Sequence, residues 1–393
     1  MNKSILDGEV QKFINYNLQV DIPTLSLKKS PFPLVSSKEL AEQIDSKKRC
    51  ELKLPRWFNA KDIYYPPKLA IEQASSEITA KYKAELIQGD QIIDLTGGIG
   101  VDTLFFASKA KSVTHCEINQ ELSKIAEYNS KILGVNIHFV HINGLEYLIN
   151  LNKIFSTIYI DPSRRISTKK VFMLKDCEPD IISNLQLLRD HSSRILIKTA
   201  PLLDIQSAIK ELKQVSRIHV VSIKNECKEL LIIIDKEQET DDPLITCALL
   251  GDDEKKYCFK LSEEKEFQIH QYSEPLEYIY EPDAALLKAG CFKLITRDFN
   301  IKKIHQHTHL YTSTELLDSF PGRTFILKKA GDYGTFIKEN QVKKANIICR
   351  NFGLSPEEIK KKLKINDGGN EYLLFCTGPK NERLVLNCER IAK

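Results

Sequence analysis

Two acidic motifs in this chain have the residue types and spacing to act on a nucleoside-bearing ligand. The first is Asp94-Leu95-Thr96-Gly97-Gly98-Ile99-Gly100-Val101-Asp102, preceded by the apolar run Ile92-Ile93 and followed by the helical pattern Leu104-Phe105-Phe106-Ala107. That order predicts a buried strand, a glycine turn and a helix start. Glycines let the chain turn sharply and let a ligand touch the backbone, and a helix start offers free N–H groups. Glu117 stands 23 positions after Asp94, the spacing at which an acidic side chain grips ribose hydroxyls. The second motif is Asp161-Pro162-Ser163-Arg164-Arg165, placed after Ile158-Tyr159-Ile160, at the carboxyl end of a strand, where ligands bind in open α/β sheets.

The glycine pattern is D-x-T-G-G-x-G, not the G-x-G-x-x-G that cradles a pyrophosphate. It favours S-adenosyl-L-methionine over a dinucleotide, with the turn on the methionine portion. Asp94, Thr96, Gly97, Gly98, Gly100, Asp102 and Glu117, with Ile118 beside it, are the expected cofactor contacts. Asn143-Gly144 follows the third strand; Asn143 either accepts from the adenine amine through its amide oxygen or is a plain turn residue. The Asp161 loop resembles the (D/N)-P-P-(Y/F) loop of methyltransferases acting on exocyclic amines and the D-P-P-R loop of several RNA methyltransferases. Methyl transfer is an in-line displacement that needs positioning above all. Asp161 is expected to accept from the target nitrogen, and Pro162 to stiffen the loop. Arg164, at the usual aromatic position, and Arg165 either stack on a base, hold phosphate, or pair with Asp176 and Glu178. No cysteine is set up as a nucleophile: Cys177 and Cys227 have acidic neighbours, which raise a thiol's pKa.

The elements that must position these residues alternate. Strands are expected at 92–95, 113–117, 137–141, 157–161 and 194–198, helices between them, then a hairpin of 218–224 and 230–235 around the polar Asn225-Glu226-Cys227-Lys228-Glu229. This predicts an α/β, Rossmann-like sheet. Residues 1–88 read as helical, with Ser36-Ser37 as a helix cap and a helix before the first strand that sets Ile78, Tyr82 and Leu86 on one face. Residues 241–275 read as connecting strands. His305, His307 and His309 read as a solvent-facing strip on a strand, and no metal site is expected. From 319 onward there are 15 basic against 8 acidic residues, although the whole chain carries only +4. Lys343-Lys344, Phe352 and the run Lys360-Lys361-Lys362-Leu363-Lys364 suit RNA backbone contact and stacking. The ten cysteines form no CxxC pair, and no apolar run reaches membrane-spanning length, so a reducing cytoplasm and no membrane are expected.

The runs Glu72-Gln73-x-Ser75-Ser76-Glu77-x-Thr79-Ala80-x-Tyr82-Lys83, Asp94–Asp102, Asp161-Pro162-x-Arg164-Arg165 and Asn225–Leu231 are similar to a family of bacterial, mainly Bacteroidetes, class I methyltransferases. The resemblance implies a class I methyltransferase domain over 89–240, a ferredoxin-like domain over 276–319 and a THUMP-like, RNA-binding domain over 320–393. The expected function is methylation of an exocyclic or ring amine of a base in structured RNA. The alternatives are a DNA, protein or small-molecule methyltransferase, or a non-catalytic RNA-binding protein. The sequence leaves the oligomeric state open.

Overall fold

Strand β1, Gln91–Asp94, forms the middle of a parallel sheet because Ile92, Ile93 and Asp94 are all buried; an apolar run without alternation suits a strand covered on both faces. The computed structural model describes residues 1–151, 153–164, 173–238, 240–251 and 253–391. The chain divides into two compact units, Met1–Ser216 with Leu231–Asp241 and Arg217–Leu230 with Asp242–Lys393.

In the first unit, β1 lies between β2 (Ser112–Cys116) and β4 (Phe155–Ile160), parallel to both. Strand β3 (His138–Val140) continues the sheet beyond β2, and β5 (Ser192–Thr199) continues it beyond β4. The end of β7 (Glu226–Asp235) lies beside β5. The order β3-β2-β1-β4-β5 reverses direction at β1. That reversal opens a crevice at the carboxyl ends of β1 and β4, where Asp94 and Asp161 fall. Helices Val101–Phe106, Gln120–Ile132, Gly144–Ile149 and Ile181–Asp190 make the connections.

Residues 1–88 are helical. The helix Ser37–Lys53 starts with a capping box in which Ser36 and Glu39 satisfy each other's backbone N–H. The helix before β1 differs from expectation. Ser76 caps a new start by accepting from Thr79 N–H, so the chain forms two short helices, Lys68–Gln73 and Glu77–Ala84. Ile78 is consequently on the exposed side, while Thr79, Ala80, Tyr82 and Lys83 face inward.

The second unit starts with β6 (Arg217–Ile223), which reaches β7 through Lys224 and Asn225, both with positive φ, the backbone of a two-residue hairpin turn. Strand β8 (Leu244–Leu250) runs parallel to β6, and β9 (Lys255–Lys260) antiparallel to β8. A second, largely antiparallel sheet uses β10 (Tyr278–Pro282), β11 (Tyr311–Ser313), β12 (Gly322–Asp332), β13 (Asn346–Arg350), β14 (Glu371–Thr377) and β15 (Arg383–Arg390), in the order β11-β10-β12-β15-β14-β13. Both faces are covered. Leu373 and Phe375 of β14 pack with Tyr333, Phe352 and Ile359, whereas Leu374 and Cys376 pack with Ile279, Leu310 and Phe325.

Two expectations in this unit are corrected. Phe352 is not available for stacking on RNA: it is 5% exposed and held edge-on by Tyr333 and Phe375. The three histidines lie in a turn rather than on a strand. His305 bonds Asn381, and His309 stacks on Phe292 at 3.8 Å, where burial lowers its pKa to about 4. No helix among the described residues is long and apolar enough to cross a membrane.

Candidate active site

The glycine turn is organised from below by Asp94. One carboxylate oxygen accepts from Thr96 N–H at 3.0 Å and the other from Thr103 Oγ at 2.7 Å. Asp94 is 1% exposed. Burial raises its pKa to about 7, with the Asp102 and Asp161 charges adding to the rise and the two hydrogen bonds opposing it. Its place in the structure is therefore the support of the turn. His115 lies under the same turn: its Nδ1 is 3.1 Å from Thr103 Oγ, and burial lowers its pKa to about 3, so the ring is neutral. This ring explains Gly97. A Cβ built there would meet His115 Cε1 at 2.1 Å.

Gly98 is the open part of the turn. Its φ is +56°, and a Cβ built on it would come no closer than 4.0 Å to another atom, Thr96 O. A ligand therefore has room against this backbone. Gly98 N–H donates to Glu117 Oε2 at 2.8 Å, and Asn119 N–H donates to Glu117 Oε1 at 2.7 Å. The acid expected at the ribose is thus tied to the turn expected at the methionine. Gly100, with φ +82°, starts the helix Val101–Phe106. Ile118 is exposed, beside Glu117. These features fit S-adenosyl-L-methionine: an open glycine backbone, an oriented acid 23 residues on, and a crevice at the strand ends.

Two predicted contacts are engaged elsewhere. Asn143 Oδ1 accepts from Leu145 N–H at 2.9 Å and Glu146 N–H at 3.4 Å, capping the next helix; the oxygen expected at the adenine amine has this local duty. Asp102 is buried, with one oxygen accepting from Ser75 Oγ and Tyr159 Oη, both at 2.8 Å, and the other 3.2 Å from Lys83 Nζ. Burial alone would raise its pKa, but the charges of Lys83 and then Lys198 outweigh this and lower it. Lys83 is fully buried and also donates to Ser75 Oγ at 3.0 Å. The motif around Ser75 and Lys83 thus fastens the helix Glu77–Ala84 to the helix that follows the turn.

On the acceptor side, Asp161 N–H donates to Thr96 Oγ at 2.7 Å, joining the two loops directly. Lys198, at the end of β5, forms an ion pair with Asp161 Oδ2; its side chain is 12% exposed against 33% for Asp161. Pro162 is buried. Ser163–Arg164 pairs with Cys177–Glu178 as a short antiparallel ribbon. Arg165 lies outside the described residues. Sequence reasoning missed Thr103, His115, Lys83 and Tyr159. The place of Lys198 at the end of the apolar strand Ile195-Leu196-Ile197-Lys198 is readable in the sequence, but its pairing with Asp161 is not.

The polar hairpin turn is explained within the second unit. Asn225 Oδ1 accepts from Ala284 N–H at 3.0 Å, and Ser222 donates to Asp283, which caps the helix Ala284–Ala289. Cys227 is no nucleophile: burial raises its pKa to about 11. Among the described residues no group of three or more His, Cys, Asp or Glu could hold a metal.

Residues 278–321 match a ferredoxin-like domain family and residues 334–390 a THUMP domain-like family. An uncharacterized RNA methyltransferase of Mycoplasma mobile is 36% identical over 77 residues. A 23S rRNA (uracil(747)-C(5))-methyltransferase of Pyrococcus abyssi is 25% identical over 88 residues. These matches span 19% and 22% of this chain, and about a fifth of the length of each curated relative. A crystal structure from Porphyromonas gingivalis W83, described as a "putative methyltransferase", covers 99% of both chains at 31% identity and a TM-score of 0.88. With likeness of that extent added to the glycine turn, Glu117 and the Asp161 loop, the chain belongs to the family of class I S-adenosylmethionine-dependent methyltransferases that carry ferredoxin-like and THUMP-like C-terminal domains.

Proposed function

We propose that this protein transfers the methyl group of S-adenosyl-L-methionine to structured RNA. The bond from Asp161 N–H to Thr96 Oγ carries the reading. It couples the cofactor turn to the acceptor loop, so one rigid strand-end element aligns both reactants. When bound, the cofactor supplies a methyl group on a positively charged sulfur. Glu117 orients the ribose, Gly98 admits the methionine portion against the backbone, and Pro162 holds Asp161 in place.

RNA is favoured by the second unit. Its two basic segments are brought together through Asn366, just after the second: Asn366 N–H donates to Lys343 O at 2.9 Å, and Ala345 N–H to Asn366 O at 3.0 Å. Lys343, Lys344, Lys361 and Lys364 are all exposed. Such a patch suits phosphate contact. In this reading residues 89–240 perform the transfer and 320–393 recruit the RNA. The RNA methyltransferase relatives and the THUMP domain-like match support it.

The finer reading, an amine acceptor on a base, takes Asp161 as a bare acceptor for N–H. In the structure that carboxylate is paired with Lys198. The test is transfer of labelled methyl groups to total RNA from a strain lacking the gene. Wild type is expected to label RNA. Asp161→Ala is expected to lose about 10²–10⁴-fold in transfer while still binding S-adenosylhomocysteine. Labelled DNA, protein or a small molecule with unlabelled RNA would overturn the reading.

A further inference from the structure

We infer that the acceptor is a hydroxyl, the ribose 2′-hydroxyl of RNA, and that Lys198 and Asp161 form the pair that activates it. This rests on the RNA reading above and specifies the atom methylated.

The observation is an ammonium at the acceptor loop. Lys198 ends β5, Asp161 follows β4, and the two strands are parallel neighbours, so both side chains project from the same edge of the sheet. Asp161 is joined to the cofactor turn through Thr96. Lys198 holds Asp161 Oδ2 and is nearly buried, so solvent and salt screen its charge only weakly. The charge of the pair distinguishes acceptor classes. A neutral amine attacking a sulfonium methyl group gains positive charge as the bond forms, and a neighbouring ammonium opposes that change. A hydroxyl must lose its proton, and the oxygen carries negative charge on the way; a preorganised ammonium favours that state. Of the described cysteines near this loop, Cys116 is fully buried, and burial raises its pKa well above normal, while Cys177, opposite Arg164 on the ribbon, donates its S–H to Met173 O at 3.7 Å; neither is prepared as the thiolate that a carbon-5 route needs.

The step balances without a further reactant. The hydroxyl oxygen forms the new O–C bond as the C–S bond breaks, and the electron pair of the broken bond stays on sulfur, which becomes a neutral thioether. The hydroxyl proton passes to the Asp161 carboxylate, through the oxygen that Lys198 does not hold, and from there to water. Lys198 remains an ammonium throughout and faces the oxygen while it is negative. Lys83 is committed to Asp102 behind the turn, so the ammonium that stands at the Asp161 loop is the one on Lys198.

The test reads the product's chemistry. Total RNA from the deletion strain is labelled by the full-length protein and hydrolysed in alkali, which cleaves RNA only where a free 2′-hydroxyl attacks the adjacent phosphate. Label in alkali-resistant dinucleotides is the expected result. Label in mononucleotides would overturn the hydroxyl assignment and place the methyl group on a base, leaving the RNA reading intact. Unlabelled RNA, from protein that still binds S-adenosylhomocysteine, would overturn the RNA reading and this inference with it. Lys198→Met should lower the transfer rate about 100-fold while leaving the S-adenosylhomocysteine Kd within about threefold. Lys198→Arg, which keeps the charge, should recover part of the rate. An unchanged rate in a folded Lys198→Met protein would remove Lys198 from the step.

Discussion

Lysines serve two different purposes in the two units. In the first unit, Lys83 and Lys198 are 0% and 12% exposed, and each is paired with an aspartate, Asp102 or Asp161. In the second, Lys343, Lys344, Lys361 and Lys364 face solvent from two adjoining segments. A buried charge acts over a few ångströms on one partner, and losing that partner is costly. An exposed charge acts weakly on any one group, is screened by salt, and matters through its number. In the proposed function the first arrangement builds a site and the second builds affinity, so substitutions in the two regions should fail in different ways.

The largest effect on stability should come from Lys83→Met. It leaves Asp102 buried without its ion-pair partner, with the Ser75 and Tyr159 hydroxyls on its carboxylate and only the weaker influence of the Lys198 charge. Loss of about 3–5 kcal/mol is expected, read as a lower denaturant midpoint with an unchanged slope. Lys83→Met with Asp102→Asn should recover much of that loss, since no lone charge remains. If the double variant is no better than the single, the lysine contributes through packing rather than charge.

A smaller effect, with a definite pH signature, belongs to Asp94. Its folded-state pKa is about 7, above the roughly 3.9 of an unfolded aspartate. The sign follows from proton linkage: the folded state holds the proton more tightly, so Asp94's contribution to stability is fully present below about pH 4 and is lost as pH rises through about 7. Asp94→Asn should flatten the stability profile between these limits, because the asparagine oxygen can still accept from Thr96 N–H. A profile that keeps its slope in the variant would assign the titration to another group.

The same contrast sets how much was legible from sequence. The α/β alternation, the glycine turn and the place of Glu117 just after a strand could all be read, because each follows from the order of strands and turns along the chain. Ser36 could be read as a cap, a local pattern imposed by backbone geometry. Lys198 with Asp161, Lys83 with Asp102 and His115 under Gly97 could not, because each pairing is made by tertiary packing between residues well separated in the chain. Asn143, left open between an adenine contact and a turn residue, shows a local demand at such a position: its side chain caps the next helix. Phe352 was misassigned because an aromatic beside basic residues reads alike whether it packs inward or stacks on a base; only the opposing Tyr333 and Phe375 decide.

The smallest effect per residue should be at the exposed lysines, where the comparison can be sharpened most. Changing Lys343, Lys344, Lys361 and Lys364 singly to Gln should leave thermal stability almost unchanged, because none is buried. For RNA binding, each phosphate contact removed should reduce the slope of log K against log salt by about 0.7–0.9, alike for all sequences, since phosphate contacts carry no base information. Combining the four should give an additive loss of slope, with little change in the transfer rate at saturating RNA. If one lysine instead abolishes transfer at saturation, it reaches the reacting nucleotide, and the division between a site-building unit and an affinity-building unit fails. If the salt slope does not move, RNA engages another face of the protein, and the adjacency of the two basic segments serves the fold alone.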